Sequence, residues 1–480
     1  MPLFERIPRL LIAGALVWAA TPAWAEPDET AVPAGDVWLQ HVSRDLLPFW
    51  SSPDALGTPV GDFPTFRCND GRLPDRKSLC AELANPPGWI RPEIGREFLR
   101  MKARQTYAYG VAFHLTGERR WLDAAWAGAR YTMGWLDAER GAPAWIKDGR
   151  PATFNETSAQ DQAYAVVGIA MLYYLTRDAQ LERALIAQEH LIFDKLWDPD
   201  RKLVRWLPKQ ADSSDADRDE LVAQLDQLNA YMLLVVPYLP ADERERWRAD
   251  IRRLCDVIVQ HYHDPASGTF FGTRNAADSE KPGGRHNDFG HTIKAYWMLL
   301  IAARELGDAK LESFAREGGV TVLERAWDKP SRSWGSSWTR SGIDANKSWW
   351  IFAELDQMAI TLALDERRHS RYLPSAWAFW FDRMVDHRHG EVWGWVRADG
   401  WVPPNDLKIH HWKSGYHSFE HALVSYLGAQ TLNQQTATLH FAIGRSDALF
   451  RPYVLPGKAV SVRTEGATEI VTFRVGTAAP

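Results

Sequence analysis

Six stretches of almost continuous apolar residues recur along the chain, with polar segments between them. They lie at 107–115, 164–175, 229–236, 295–303, 355–364 and 421–427. Five of them end in a short polar turn, in which an Asp or Glu favours the start of a following helix. The helix after such a turn carries apolar residues three and four apart, as 247–258 does, which is typical of a helix with one buried face. The pattern predicts helical hairpins, each with a buried inner helix and an amphipathic outer helix.

Loops rich in Asp, Gly and Pro follow the outer helices. Four of these loops lie at 198–202, 264–272, 328–335 and 386–394. Each predicts a tight turn and a short extended stretch, and we expect the loops to cluster at one end of the molecule. The sixth inner helix has no outer helix after it, and the helix predicted at 37–49 can take that role. Six hairpins joined in this way close most simply into an all-α (α/α)6 toroid.

Apolar and polar residues alternate after residue 434, where the helical pattern ends. The stretches 438–443, 459–463 and 469–475 are predicted strands, because alternation with a period of two is typical of β structure. We therefore predict an (α/α)6 barrel domain over 26–433 and a small C-terminal β-strand extension over 434–480.

The first 25 residues have the features of a signal peptide. Arg6 and Arg9 precede an apolar run at 10–20, and residues 23–25 have the small-x-small form of a cleavage site. The run is shorter than the roughly 20 apolar residues that cross a bilayer, which disfavours a membrane anchor. We expect a mature protein that begins at Glu26, is periplasmic or secreted, and has no membrane attachment after cleavage.

Composition narrows the class of protein further. The chain has 480 residues, of which 45% are hydrophobic and 24% charged, and these proportions exclude disordered, collagen-like and coiled-coil proteins. A net charge of −5 and the absence of a Lys/Arg block exclude nucleic acid as a partner. The 24 tryptophans outnumber the 19 phenylalanines, and their flat apolar faces suit a cleft for a sugar. We expect some of the loop tryptophans to stack on sugar rings, among Trp334, Trp338, Trp393, Trp395 and Trp401.

Three cysteines are too few for a fold that rests on disulfides. Cys68 and Cys80 flank a polar loop, and one bridge between them is reasonable in an oxidising compartment. Cys255 lies in a helical apolar pattern and is predicted to be a buried thiol. Neither arrangement indicates a catalytic cysteine or a zinc cluster.

One polar residue stands near the amino end of each predicted inner helix. These residues are Arg104, Tyr164, Asn229, His291, Glu354 and His417. Their near-constant spacing would bring six functional groups to one mouth of the toroid. Binding sites are commonly built there, where loops lie over a rigid scaffold, so the spacing predicts a site at this rim.

Four segments around these positions resemble the signature segments of the N-acylglucosamine 2-epimerase family. They are 104–107, 288–300, 347–354 and 412–417, and the likeness extends in the same order over about 63–427. That family includes cellobiose 2-epimerases and mannose isomerases and has an (α/α)6 barrel. The resemblance implies that the chain is a sugar 2-epimerase or an aldose–ketose isomerase acting on a mono- or oligosaccharide.

The resemblance also implies roles for individual residues. His291 and His417 would be the acid/base pair, Arg104 and Glu354 would contact the sugar, and Trp349, Trp350 and Trp412 would line the cleft. Tyr164 and Asn229 are candidates for lining only.

The chemistry of such a reaction suits two histidines. Moving a proton next to a carbonyl needs one group to remove it and another to return it, and imidazole can do either near neutral pH. For epimerisation the imidazoles must face opposite sides of an open-chain sugar, while Arg104 stabilises the enediolate. This reaction needs no cofactor. No metal is expected either, since His417 and His421 are four residues apart but have no third ligand at a suitable spacing.

Two positions depart from the family pattern. Lys294 stands where the family has the Glu of Gly-His-x-x-Glu, and Leu233 stands where it has the His of Asn-x-x-x-His. We expect the lysine to favour a neutral His291 by charge repulsion.

Other functions stay open at the level of sequence. An inverting glycoside hydrolase on the same toroid needs two carboxylates, for which Asp288, Glu354 and Glu420 are the candidates. A uronate lyase would use a histidine or tyrosine base near Asn287 and Arg104. A non-catalytic glycan-binding protein is the third alternative.

Overall fold

The computed structural model describes residues 31–75, 77–275, 286–445 and 447–476, so the predicted signal peptide lies outside the described residues. The inner helices are Leu99–Thr116, Ala159–Ala165 with Val167–Thr176, Leu221–Gln227 with Leu228–Met232 and Leu233–Val235, Phe289–Leu306, Trp349–Ala363, and Tyr416–Leu432. Each packs on the next in chain order, and the sixth packs on the first. The predicted (α/α)6 toroid is therefore confirmed.

Close approach of two inner helices depends on a missing side chain. A Cβ atom at Gly168, on the second inner helix, would lie 2.5 Å from the carbonyl oxygen of Ala103 on the first. Glycine thus lets the two backbones pack directly, which narrows the ring at this point.

The outer helices surround this ring. They are Arg119–Met133, Ala179–Lys195, Ala241–Val257 with Ile258–Tyr262, Ala309–Ala326, and Arg367–Tyr372 with Leu373–Phe379 and Trp380–Met384. Asp178 and Asp308 accept hydrogen bonds from backbone N–H groups at the start of their helices, as expected for Asp in the turns. The sixth outer element comes from the amino-terminal part of the chain, as Asp36–His41, Val42–Leu46 and Leu47–Trp50, and packs on the sixth inner helix.

Short strands occupy the loops that lead from one hairpin to the next. The antiparallel sets are Glu97–Phe98, Trp145–Lys147 and Arg150–Pro151; Trp197–Asp198 and Leu203–Val204; Asp219–Glu220 and Thr273–Arg274; His263–Asp264 and Thr269–Phe270; Trp327–Asp328 and Ser333–Trp334; Ser337–Thr339 and Gly342–Asp344; Lys347–Ser348 and Trp395–Val396. Since they follow outer helices and precede inner ones, they lie at the amino ends of the inner helices. That end is the one predicted to carry the site.

The remaining helical turns are Pro53–Leu56, Ala81–Ala84, Arg91–Glu93, Phe154–Glu156 and Val236–Tyr238. Cys68 and Cys80 form a disulfide, so the predicted bridge is confirmed. Cys255 is a buried free thiol, also as predicted.

A three-stranded antiparallel sheet ends the chain. Its strands are Ala437–Phe441, Gly457–Glu465 and Thr468–Val475, with the last strand in the middle. The sheet packs on the first, second and sixth inner helices, and the backbone N–H of Ala442 donates to the carbonyl of Leu175 at 2.9 Å. Leu175 is near the carboxyl end of its helix, so the β extension covers the end of the toroid opposite the predicted site. Within the described residues, no helix is both long and apolar enough to cross a membrane.

Candidate active site

A cavity of about 210 Å³ opens at the amino ends of the inner helices. Its lining consists of Arg104, Gln160, Tyr164, Asp226, His286, His291, Lys294, Trp349, Trp350, Trp412 and His417. Seven of the nine residues proposed from the sequence are therefore brought together. Asn229 and Glu354 do not line the cavity, because their side chains are turned to neighbouring inner helices, which corrects the expectation that all six register positions meet at the rim.

His291 is fixed by the cap of its own helix. The side chain of Asp288 accepts hydrogen bonds from the backbone N–H and from Nδ1 of His291, both at 2.8 Å. Burial alone would raise the pKa of Asp288, but the imidazole beside it and these hydrogen bonds hold that pKa below its ordinary value. An ionised Asp288 orients the ring and leaves Nε2 of His291 to exchange a proton with a ligand.

Trp350 contacts both histidines. Its ring centroid lies 4.6 Å from that of His291 and 6.1 Å from that of His417. Gly290 makes room for it, since a Cβ atom there would lie 2.5 Å from the indole. The Gly-His pair thus has a steric reason: glycine admits the tryptophan that packs on the histidine.

His417 is buried among positive charges. Burial, followed by the charges of Arg104, Lys294 and Lys413, lowers the pKa of His417 well below its ordinary value. The ring is therefore neutral near pH 7 and can accept a proton. Its Nδ1 lies 3.6 Å from Oε1 of Glu354, which is too long for a hydrogen bond.

Glu354 and Glu420 form a buried carboxyl pair behind His417. Neither oxygen of Glu354 has a hydrogen-bond partner among the described residues. Burial raises the pKa of Glu354 to about 8; the charges of Glu420 and Asp226 act in the same direction, and Lys294 opposes them. Glu354 is thus protonated near neutral pH. Together with His417 the pair offers three ligand atoms within 4.8 Å of one another.

Arg104 is held by stacking rather than by a carboxylate. Its guanidinium lies 3.8 Å from the ring centroid of Tyr164, and Nη1 donates to the carbonyl oxygen of Trp412 at 2.9 Å. Trp412 in turn stacks on Arg100, which is paired with Asp161. Since no described carboxylate forms an ion pair with Arg104, its charge is available to an oxyanion in the cavity.

The family model of N-acylglucosamine 2-epimerase (GlcNAc 2-epimerase) matches residues 89–422 of the chain. The chain belongs to this family. The predictions of family membership and of a carbohydrate isomerase or epimerase are thereby confirmed at the level of the family.

Relatives and solved structures agree with this assignment. A cellobiose 2-epimerase of Bacteroides fragilis is 24% identical over 339 residues, which cover 66% of this chain and 84% of the relative. The structure of cellobiose 2-epimerase from Spirochaeta thermophila DSM 6192 superposes with a TM-score of 0.68 at 21% identity, covering 83% of this chain and 97% of the other. A D-mannose isomerase structure has a TM-score of 0.66 at 15% identity, over 84% and 99% of the two chains. At these identities the structural likeness concerns the fold.

Lys294 replaces the Glu of the N-acylglucosamine 2-epimerase family pattern, and the structure shows what it contacts. Its Nζ lies 2.6 Å from Oδ1 of Asp226 and 3.0 Å from the hydroxyl of Tyr164. Gln160 also donates to Asp226, at 2.6 Å. Although burial opposes both shifts, the ion pair lowers the pKa of Asp226 and raises that of Lys294. The charge of Lys294 is thus balanced by Asp226, whereas the sequence suggested repulsion against His291.

Three residues that line the cavity escaped the sequence reasoning: Gln160, Asp226 and His286. Gln160 and Asp226 lie four and three residues before the register positions Tyr164 and Asn229, so they share a helix face with them. This spacing could have identified Gln160 and Asp226 as cavity residues from the sequence. The imidazole of His286 lies 4.6 Å from that of His291, a contact that crosses a loop and has no periodic signal.

Several other candidates lie away from the cavity. None of the five loop tryptophans lines it, and Trp334 is fully buried with Nε1 donating to Asp356 at 2.7 Å. His421 bonds to the same Asp356 at 2.8 Å, so it faces another part of the core than His417 does. Asn229 does not line the cavity; it donates to the hydroxyls of Tyr416 at 3.2 Å and Tyr164 at 3.4 Å.

Proposed function

We propose that the chain is an exported enzyme that epimerises a sugar at C2, with His417 and His291 as the two proton-transfer groups. The observation that carries the proposal is the contact of both imidazoles with Trp350 at one cavity, with His291 held by Asp288. Two imidazoles from different helices can reach one carbon from different sides, as epimerisation requires.

The proposed reaction begins with His417. Its neutral ring removes the C2 proton of the open-chain sugar, and the electrons of that bond form the C1–C2 double bond of an enediolate. The negative charge develops on the carbonyl oxygen, where Arg104 stabilises it. The His291 imidazolium then returns a proton to the opposite face of C2. In aldose–ketose isomerisation, the alternative outcome, the proton returns to C1, and the hydroxyl proton on O2 moves to O1 as C2 becomes the carbonyl carbon.

The hydrolase alternative fits the cavity less well. An inverting hydrolase needs a carboxylic acid whose pKa is raised so that it can protonate the leaving group. Asp226, the lining carboxylate, is committed to Lys294 and Gln160, and its pKa is lowered. The pKa of Asp288 is lowered as well, and neither Glu354 nor Glu420 lines the cavity. This favours proton transfer over hydrolysis.

The test is exchange of the C2 hydrogen. The purified protein is incubated with mannose, glucose, cellobiose or N-acetylmannosamine in deuterated water, and label at C2 is measured by NMR. We expect label with at least one sugar and a loss of at least about 100-fold in His417→Asn and His291→Asn. His190→Asn is the matched control, because His190 is on an outer helix and bonds to Glu243 instead of a cavity residue.

Two outcomes would contradict the proposal. If no sugar is labelled but oligosaccharide binds, the chain is a glycan-binding protein. If new reducing ends or unsaturated uronates form instead, it is a hydrolase or a lyase.

Export is the other part of the proposal. The Cys68–Cys80 disulfide supports it, since such bridges persist in oxidising compartments. Amino-terminal sequencing of the protein recovered from the periplasm or medium should begin at Glu26. Recovery of the intact chain from the cytoplasm would contradict export.

A further inference from the structure

One tyrosine of the C-terminal β extension points toward the candidate active site. Tyr453 lies between the first two strands of the extension, and its side chain is buried. Its hydroxyl donates to Oε1 of Glu420 at 2.5 Å and is 2.8 Å from the hydroxyl of Tyr107 on the first inner helix. Its backbone N–H donates to the hydroxyl of Tyr174 at 2.9 Å. Tyr453 therefore joins the extension to the interior of the toroid.

The backbone of Tyr453 adopts a conformation that residues with a side chain seldom use. Its φ is 61°, in the left-handed region, which is costly for a bulky residue. Such a conformation persists only where the surroundings impose it. Here the hydrogen bonds at the N–H and at the hydroxyl impose it, and the result is that the hydroxyl points at Glu420.

Glu420 is adjacent to the proposed base. It follows His417 by three residues on the same helix, and the ligand atoms of Glu420, Glu354 and His417 lie within 4.8 Å of one another. Groups from the other inner helices also face this pair: Tyr107 from the first, Asp226 from the third, Lys294 from the fourth and Gln357 from the fifth. Of these groups, Lys294 and Asp226 carry a full charge near neutral pH, and they are paired with each other. His417 itself is also faced by Arg104, Lys413 and His291.

We propose that Tyr453 is a positioning residue for proton transfer at His417, which acts by keeping Glu420 ionised. Its hydrogen bond stabilises the carboxylate form of Glu420, while Glu354 holds the proton of the pair. The charge on Glu420 then stabilises the imidazolium that forms when His417 takes a proton from the sugar. This inference rests on the proposed function, and it assigns a role in that function to the C-terminal extension, which lies outside the matched family region.

Several observations on the pair agree with this role. Burial raises the pKa of Glu420, and the hydrogen bond from Tyr453 is the largest influence that lowers it. Without that hydroxyl, Glu420 would take up a proton more readily and the pair would lose its negative charge. Tyr453 does not line the cavity, and its hydrogen bond to Glu420 is the route by which we expect it to act on His417.

The first test is the pH profile of C2 exchange in Tyr453→Phe. We expect the acid limb of kcat to move upward by about one pH unit with KM unchanged, so that kcat on that limb falls about tenfold, since one unit corresponds to a factor of ten. Raising the pH should restore the rate, because Glu420 ionises again. In Glu420→Gln the loss should persist at every pH, and adding Tyr453→Phe to it should have no further effect.

Tyr426→Phe is the matched control. Tyr426 is on the same helix as Glu420, and its hydroxyl accepts a hydrogen bond from the backbone N–H of Thr438 in the extension at 3.0 Å. The Tyr426→Phe variant therefore also removes a hydrogen bond between the toroid and the extension, but it changes no residue of the site. An equal shift of the profile in Tyr426→Phe, or an unshifted profile in Tyr453→Phe, would overturn the proposal.

A second measurement separates this proposal from the proposed function. In protein labelled with ¹⁵N-histidine, the His417 signal, assigned by its absence in His417→Asn, reports ionisation of the carboxyl pair. In Tyr453→Phe we expect the pH midpoint at which this signal reports ionisation of the Glu354–Glu420 pair to move upward by about one pH unit. This holds whether or not a sugar is turned over, so absence of exchange refutes only the epimerase. An unmoved midpoint refutes the role of Tyr453.

Discussion

The Lys294–Asp226 ion pair yields a prediction whose size follows from its burial. The two side chains are 5% and 1% exposed. Removing one partner of a buried pair costs about 3–5 kcal/mol, because the other charge is left uncompensated. In Lys294→Met the remaining donors Gln160 and Tyr164 still reach Asp226, so we expect the lower end, about 3 kcal/mol of unfolding free energy.

Urea unfolding followed by far-UV circular dichroism measures this loss. Adding Asp226→Asn to Lys294→Met removes the orphaned charge, and we expect the double variant to be more stable than the sum of the single effects by at least about 1 kcal/mol. Lys195→Met is the control, since the Lys195–Glu139 pair is exposed and such pairs contribute about 0–1 kcal/mol. A Lys294→Met protein as stable as the control, or strictly additive single effects, would refute the argument.

The stability that the Lys294–Asp226 pair contributes should depend on pH in a definite direction. The pKa of Asp226 is lowered in the folded protein, so its contribution is present above the unfolded value and is lost as the pH falls. The pKa of Lys294 is raised, so its contribution is present below its unfolded value and is lost only at high pH. The loss of unfolding free energy in Lys294→Met should therefore be largest at about pH 7. It should become smaller toward about pH 4, where Asp226 in the variant becomes protonated. A deficit that grows on acidification would contradict the assignment.

Three further changes are predicted. In Gly290→Ala the new Cβ collides with Trp350, so C2 exchange should fall about tenfold, and the unfolding midpoint should also fall because the core is overpacked. Arg104→Lys loses the planar stacking and the bond to Trp412, so steady-state kinetics should show kcat reduced about tenfold and KM changed less. Cys80→Ser should lower the unfolding free energy in urea by about 2–4 kcal/mol, a difference that disappears when both proteins are reduced.

The local pattern of apolar and polar residues was sufficient to predict the helical scaffold. Inner helices are apolar all round and outer helices on one face, and this difference follows from burial alone, so it is visible in the sequence before any contact is known. The spacing of Arg104, Tyr164, His291 and His417 also carried over, because residues at equivalent positions of a repeated hairpin reach equivalent places in a closed ring. The three strands of the extension were visible for the same reason, since alternation is a local property.

The sequence by itself thus determined the toroid, its C-terminal strands and most of the residues at one rim. Only the tertiary structure decided which charges meet. Lys294 finds Asp226 across 68 residues, and Tyr453 reaches Glu420 from the far end of the toroid. Glu354, expected at the rim, is buried behind His417 instead. Such pairings depend on how the ring closes and how each helix is rotated, and no short-range periodicity records either.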